Sequence, residues 1–180
     1  MDLFTPVRLG ALALRNRIIM APMTRSRAGA DAVPSALMVD YYRQRAGAGL
    51  IISEGVAPSP DGIGYCRTPG IYSQDQVEAW RRVTDAVHAE GGQIVAQIMH
   101  VGRIANHLNK PAGSKTVAPS AIRARGEIYT DQQGMQQFDE PRALLTEEIA
   151  GVVAQYREAT ENAYAAGFDG VELHCTSGYL

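Results

Sequence analysis

Gly170-Val171-Glu172-Leu173-His174-Cys175-Thr176-Ser177-Gly178-Tyr179-Leu180 reads as a short buried strand that runs directly into a polar loop. Alternation places Glu172 and His174 on one face of the strand and Val171 and Leu173 on the other. A strand end that carries His, Ser and Tyr within six residues has the ingredients of anion binding and proton donation.

Three upstream segments share this design. Arg17-Ile18-Ile19-Met20-Ala21-Pro22-Met23-Thr24-Arg25 is a continuous apolar run with the profile of a strand buried on both faces, and Pro22, which has no ladder donor, ends it. Leu50-Ile51-Ile52-Ser53-Glu54-Gly55 and Gln93-Ile94-Val95-Ala96-Gln97-Ile98-Met99-His100 are the second and third strands. Helical patterns separate the four. Residues 35–46 take Ser35 as N-cap and Gly47 as stop. Ser73-Gln74-Asp75-Gln76 is a capping box opening a helix to Glu90, with an apolar stripe of Val77, Trp80, Val83 and Val87. Thr146 is expected to cap a third helix, with Glu147 and Glu148 in its first turn and Gly167 at its close. Residues 1–17 suit a small hairpin or cap. The polar, Gly/Pro-punctuated stretch 101–145 reads as a long loop insertion after the third strand, with room for a small hairpin.

Strand and helix therefore alternate, which makes either an open doubly wound sheet or a barrel. No Gly-x-Gly-x-x-Gly turn follows the first strand, and this weakens the dinucleotide-binding open sheet. Polar residues stand instead at the C-terminal end of every strand: Thr24, Glu54, Gln97 with His100, and His174. A (β/α)8 TIM barrel builds its active site this way, but needs about 250 residues. The expectation is an α/β chain whose residues 1–180 form the N-terminal half of such a barrel, with four strands, three intervening helices and two open edges.

The 180 residues carry a net charge of −2, which gives no electrostatic case for nucleic acid or an acidic membrane surface. No apolar run approaches the roughly 18 residues that span a bilayer, and the N-terminus lacks signal-peptide character. Two cysteines point to a reducing compartment, with cytoplasm the default. Cys66, Cys175, His100 and His107 lack the spacing of a metal site, so no metal is expected. A buried thiol is the default for Cys175.

Ala21-Pro22-Met23-Thr24-Arg25, Ile52-Ser53-Glu54-Gly55, Gln97-Ile98-Met99-His100-Val101-Gly102-Arg103 and Val171-Glu172-Leu173-His174 through Gly178-Tyr179-Leu180, in this order, resemble the Old Yellow Enzyme family of FMN-dependent NAD(P)H oxidoreductases, the ene-reductases. The resemblance implies FMN as cofactor, NADH or NADPH as reductant, and a small α,β-unsaturated carbonyl compound as substrate. It implies that Thr24 bonds the flavin C4 carbonyl, that the backbone around Pro22 and Met23 lines the ring, and that Gly55 lets the main chain approach the ring edge. Gln97 would serve the pyrimidine side. His174 would donate to the substrate oxygen beside the flavin, Tyr179 would protonate the α-carbon, and Tyr65 would cover the pocket.

Two positions depart from the family pattern. Ser177 stands where Asn or His is usual, and Met99 where many members carry Trp; both bear on the substrate pocket. Beside the resemblance, Glu172 could orient His174, or fill the interior against a basic partner. Arg25 and Arg103 could serve the site or surface ion pairs. The loop carrying Tyr179 is expected to be untethered. An alternative function is a half-barrel inactive alone, which needs a complementary C-terminal half or a second copy. A weaker alternative is a relative that reduces dienoyl thioesters or dehydrogenates amines.

Overall fold

Val7–Leu9 (β1) and Leu12–Leu14 (β2) pair antiparallel about Gly10, whose φ of +59° a side chain would strain. This is the hairpin expected of residues 1–17. The structure, a computed structural model, describes residues 2–29 and 31–180. Next come Ile19–Met20 (β3), helix Ala36–Arg43 (α1), strand Leu50–Val56 (β4), helix Gln74–Ala89 (α2) and strand Ile94–Ile98 (β5). Short strands Val117–Ala118 (β6), Glu127–Thr130 (β7), Gly134–Gln137 (β8) and Arg142–Ala143 (β9) follow, then helix Ile149–Ala165 (α3) and strand Val171–Leu173 (β10).

One four-stranded sheet has the order β10-β5-β4-β3, and every pairing in it is parallel. The order follows the chain without reversal, with one helix between each consecutive pair of strands. The chain is thus an α/β fold built on a parallel sheet. Its main core lies between sheet and helices: Ile51, Val56, Ile94, Ala96 and Ile98 from the strands meet Met38, Tyr42, Val77, Trp80, Val83, Val87, Ala159 and Ala163. Trp80 is fully buried, sits 5.2 Å from the Phe168 ring and donates its indole N–H to the Gly70 carbonyl at 3.0 Å. On the opposite face, Leu50, Ile52 and Val95 pack against Leu14, Val7 and Leu12, so the hairpin covers one end of that face.

The ladder has one irregularity with wide consequences. Ile52 pairs with Val95 and Gly55 with Gln97, so three steps along β4 match two along β5. The Ser53 hydroxyl fills the gap, accepting the Gln97 N–H at 3.0 Å. Such a bulge reverses the alternation beyond it. Glu54 therefore turns toward the helices, where it is 1% exposed, accepts the Tyr42 hydroxyl at 3.2 Å and the Arg25 backbone N–H at 3.1 Å. Burial raises its carboxyl pKa.

The Ser73 capping box forms as expected, with Ser73 and Gln76 each satisfying the other's backbone N–H. Three local expectations need correction. The first strand is not buried on both faces: only Ile19 and Met20 are ladder-paired, at the sheet edge, and Ile18 and Ile19 are 40% and 47% exposed. Ser35 precedes α1 in extended conformation without a capping hydrogen bond, and the helix ends at Arg43. Thr146 starts a 3₁₀ turn, Thr146–Glu148, that feeds α3. There the Glu148 carboxylate takes the Leu145 N–H at 2.7 Å and the Arg142 guanidinium. The N-cap of the turn is thus Leu145, one residue earlier than expected, and Glu148 satisfies its N–H from within the first turn. Residues 101–145 contain a hairpin, β7–β8, and a parallel β6–β9 pair.

Truncating Trp80 to Ala should remove about 3–5 kcal/mol of folding stability, read from urea denaturation followed by circular dichroism.

Candidate active site

The C-terminal ends of the sheet strands open into a cavity of about 550 Å³ lined by Pro22, Thr24, Gly55, Tyr65, Gln97, Met99, His174, Ser177 and Tyr179. Every sequence-predicted site residue except Met23 is there. The Met23 side chain is 43% exposed and faces a separate depression beside Ile18, Met20 and Arg45. A depression at the other end of the strands, lined by Arg15, His88, Gln93 and Asp169 among others, contains none of the predicted residues.

Several lining groups are held by identifiable contacts. The Glu54 carboxylate fixes the loop after β3 through the Arg25 backbone, the residue following Thr24. The Arg25 guanidinium lies 5.2 Å over the Tyr41 ring, next to α1, and does not line the cavity. Gln97 is 7% exposed, and its Nε2 donates to the Glu172 carboxylate at 2.7 Å, across the register in which the two residues are paired. Glu172 therefore has an amide partner, neither His174 nor a basic group. That contact directs the Gln97 N–H₂ toward β10 and leaves Oε1 with its acceptor capacity.

Gly55 lines the cavity and also abuts Met99. A Cβ there would come within 2.7 Å of the Met99 methyl and 3.1 Å of its sulfur. The glycine makes room for Met99, whose unbranched chain fills the gap between strands.

The loop after β10 is not untethered. Leu180 N donates to the His100 carbonyl at 3.4 Å, and the Tyr179 and Tyr65 hydroxyls lie 2.8 Å apart. Burial, then the Tyr179 hydrogen bond, pushes the Tyr65 pKa up. The Tyr179 ring stands edge-on to His174, centroids 5.2 Å apart. Ser177 and Gly178 both have left-handed backbones, with φ of +62° and +73°. Asn and His tolerate that region better than Ser does, so the usual occupants of position 177 suit the turn as well as the pocket. Cys175 is exposed, not buried.

His174 Nε2 is buried and has no hydrogen-bond partner in the protein, although His174 borders the cavity. A buried polar atom without a partner is costly, and here its partner can come from a bound molecule. With the Thr24 hydroxyl, the Gln97 amide oxygen and the apolar edges of Pro22 and Met99, the lining fits a flat ring system that carries carbonyl and N–H groups. Among the described residues no cluster of His, Cys, Asp or Glu could hold a metal ion.

The family model of the NADH:flavin oxidoreductase / NADH oxidase family matches residues 2–180. The chain belongs to this family. Its members are FMN-dependent oxidoreductases of the Old Yellow Enzyme type, with nicotinamide as reductant. The chain is 42% identical over 181 residues to 12-oxophytodienoate reductase 7 of Oryza sativa subsp. japonica, covering 99% of this chain and 46% of the relative. The structure of the old yellow enzyme homologue from Zymomonas mobilis superposes with a TM-score of 0.95 at 47% identity, over 100% of this chain and 50% of that one. Morphinone reductase in complex with tetrahydroNAD superposes at 0.93 and 48% identity, over 100% and 51%. The chain spans about half the length of the relatives it matches.

Sequence reasoning did not single out Ser53, His100 and Gly102 as supports of this family site. The Ser53 bulge leaves no sequence signature. Gly102, inside the quoted His-Val-Gly-Arg stretch, has φ of +56°. His100 is 1% exposed, and its Nδ1 accepts the Gly102 N–H at 3.0 Å. No helix among the described residues is long and apolar enough to cross a membrane.

Burial, with Lys110 nearby, lowers the His100 pKa to about 4 from 6.5. The folded chain then binds fewer protons at this site than the unfolded chain between those values. Stability should be full above pH 6.5 and fall on acidification toward pH 4, by on the order of 3 kcal/mol from this group. Urea midpoints across this range should show a shallower decline in His100→Asn than in the wild type.

Proposed function

We propose that the whole protein is an FMN-dependent ene-reductase, and that this chain supplies one side of its flavin site and the groups that act on the substrate. The observation that carries the reading is the buried, unpartnered His174 Nε2, on a ring packed edge-on to Tyr179, in a cavity that also presents Thr24 and Gln97. Family membership raises its weight. FMN, reduced by NADH or NADPH, would supply hydride to the β-carbon of an α,β-unsaturated carbonyl compound.

The residues of this chain do the rest. Thr24 donates to the flavin C4 carbonyl. Gln97, its amide oriented by Glu172, accepts from the pyrimidine side with Oε1. Pro22 and the main chain of Met23 and Gly55 border the ring, while the Met23 side chain faces its own depression. His174 donates to the substrate oxygen and stabilises the negative charge that grows there; one such donor accounts for about 2.7–4 kcal/mol in the transition state. Ser177 flanks that oxygen with a single hydroxyl, and Met99 leaves a softer wall than an indole. Tyr179 gives its proton to the α-carbon. Tyr65, kept protonated by burial and by Tyr179, donates to the Tyr179 oxygen and leaves the Tyr179 proton directed at the substrate.

In this reading the parallel sheet is the first half of a (β/α)8 barrel of about 250 residues, with residues 101–145 as its loop insertion. Support comes from the unreversed strand order and from the unpaired edges at β3 and β10, where Ile18, Ile19 and Leu173 are exposed. A complementary half would pair with both edges and close the cavity, so these residues depend on it for turnover. The compartment we read as cytoplasm, on the two free cysteines.

Tyr179→Phe, in the enzyme with its complementary half, should slow flavin reoxidation by an enone by about 10²–10⁴-fold, the usual share of a general acid. Flavin reduction by NAD(P)H should be spared, with both half-reactions followed by stopped-flow absorbance. Equal losses in the two would overturn the proton-donor role.

A further inference from the structure

We infer that His100 and Gly102 are positioning residues for Tyr179: together they form the floor on which the backbone of the loop after β10 lies, and so set where the Tyr179 hydroxyl stands. The inference rests on the proton-donor reading of Tyr179, and four observations carry it. A Cβ on Gly102 would lie 2.6 Å from Leu180 N, 2.9 Å from Leu180 Cα and 2.9 Å from the Tyr179 carbonyl carbon. These are backbone atoms and cannot swing aside as a side-chain tip could. Only a glycine lets the two loops touch, and its φ of +56° is the second requirement for that residue.

The third observation is the hydrogen bond from the Gly102 N–H to His100 Nδ1 at 3.0 Å. It holds the turn in its left-handed form and fixes the imidazole proton on Nε2. The fourth is the His100 main chain itself. Its N–H donates to the Tyr156 hydroxyl of α3 at 3.2 Å, and its carbonyl accepts Leu180 N at 3.4 Å. The ring is wedged against Gly62, where a Cβ would sit 3.3 Å from Cδ2. The 62 and 156 segments therefore grip His100, His100 shapes Gly102, and Gly102 seats residues 179–180. The Tyr65–Tyr179 hydroxyl contact of 2.8 Å reports on that seating directly.

Two readouts test this. With ring-carbon-labelled tyrosine, the Tyr65 resonance, assigned through Tyr65→Phe, marks the hydroxyl pair without any flavin. In this chain Gly102→Ala and His100→Gln should move it to the position found in Tyr179→Phe. His100→Asn, whose Oδ1 can replace Nδ1 as acceptor for Gly102, should keep it near the wild-type position. The near-ultraviolet circular dichroism of Trp80 shows whether each variant is folded. Wild-type Tyr65 resonances in folded Gly102→Ala would overturn the inference, as would equal behaviour of His100→Asn and His100→Gln. If the His100 variants do not fold, Gly102→Ala decides alone. If that variant also fails to fold, Tyr156→Phe, which removes the acceptor of the His100 N–H, is read in its place, and an unmoved Tyr65 resonance there overturns the inference.

The second readout is enone-driven flavin reoxidation in the enzyme with its complementary half. Gly102→Ala should slow it at least tenfold, and should add nothing in combination with Tyr179→Phe. Multiplicative slowing in the double variant would mean that Gly102 acts elsewhere. A Tyr179→Phe variant of wild-type rate would sink the proton-donor reading instead, and leave the resonance result to judge the positioning.

Discussion

The hydrogen bond from the Gln97 N–H to the Ser53 hydroxyl is the contact on which the site depends. A serine side chain there does the work of a ladder carbonyl, so β4 gains a residue relative to β5. Beyond that point the faces of β4 exchange. Glu54, which strict alternation from Ile52 would aim at the face of Gln97 and His174, turns instead to Tyr42. Gly55 takes its place on the cavity side, against Met99. A second carboxylate is thereby kept off a face where that of Glu172 is already paired with the Gln97 amide.

The redirected carboxylate is then used twice. Buried among apolar side chains, Glu54 would be costly without partners. Its two oxygens take the Tyr42 hydroxyl and the Arg25 N–H, tying α1 and the loop that carries Thr24 to the second strand. Polar residues on the cavity face are likewise arranged in pairs, Glu172 with Gln97 and Tyr65 with Tyr179. His174 Nε2 is buried on that face without a partner, and such an atom is where a ligand has most to contribute.

Much of this was legible in the residues. Apolar runs of four to eight residues ending in polar ones, separated by helical periodicity, implied a parallel α/β sheet, because only strands covered on a face by helices are that uniformly apolar. The capping box at Ser73 and the hairpin about Gly10 rest on local chemistry and formed as read. Ser35 and Thr146 follow the same local rule, yet neither caps through its side chain. The turn before α3 has its N-cap at Leu145 instead, and Glu148 takes the Leu145 N–H from within that turn. Strand edges were illegible for a different reason. Whether Ile18 and Ile19 are covered depends on neighbours across the sheet, which an apolar run cannot specify.

By itself, the sequence determined the order of elements and the chemical inventory of the cavity: Thr24, Gln97, His174 and Tyr179 fall at strand ends because each follows an apolar run that must be buried. The tertiary structure alone decided which way each of them points and what holds it there. Amide orientation at Gln97, the outward turn of Glu54, and the seating of Tyr179 on Gly102 arise between residues dozens of positions apart. Periodicity describes one segment at a time. A bulge, a backbone-to-backbone contact or a cross-strand hydrogen bond exists only once two segments have been brought together.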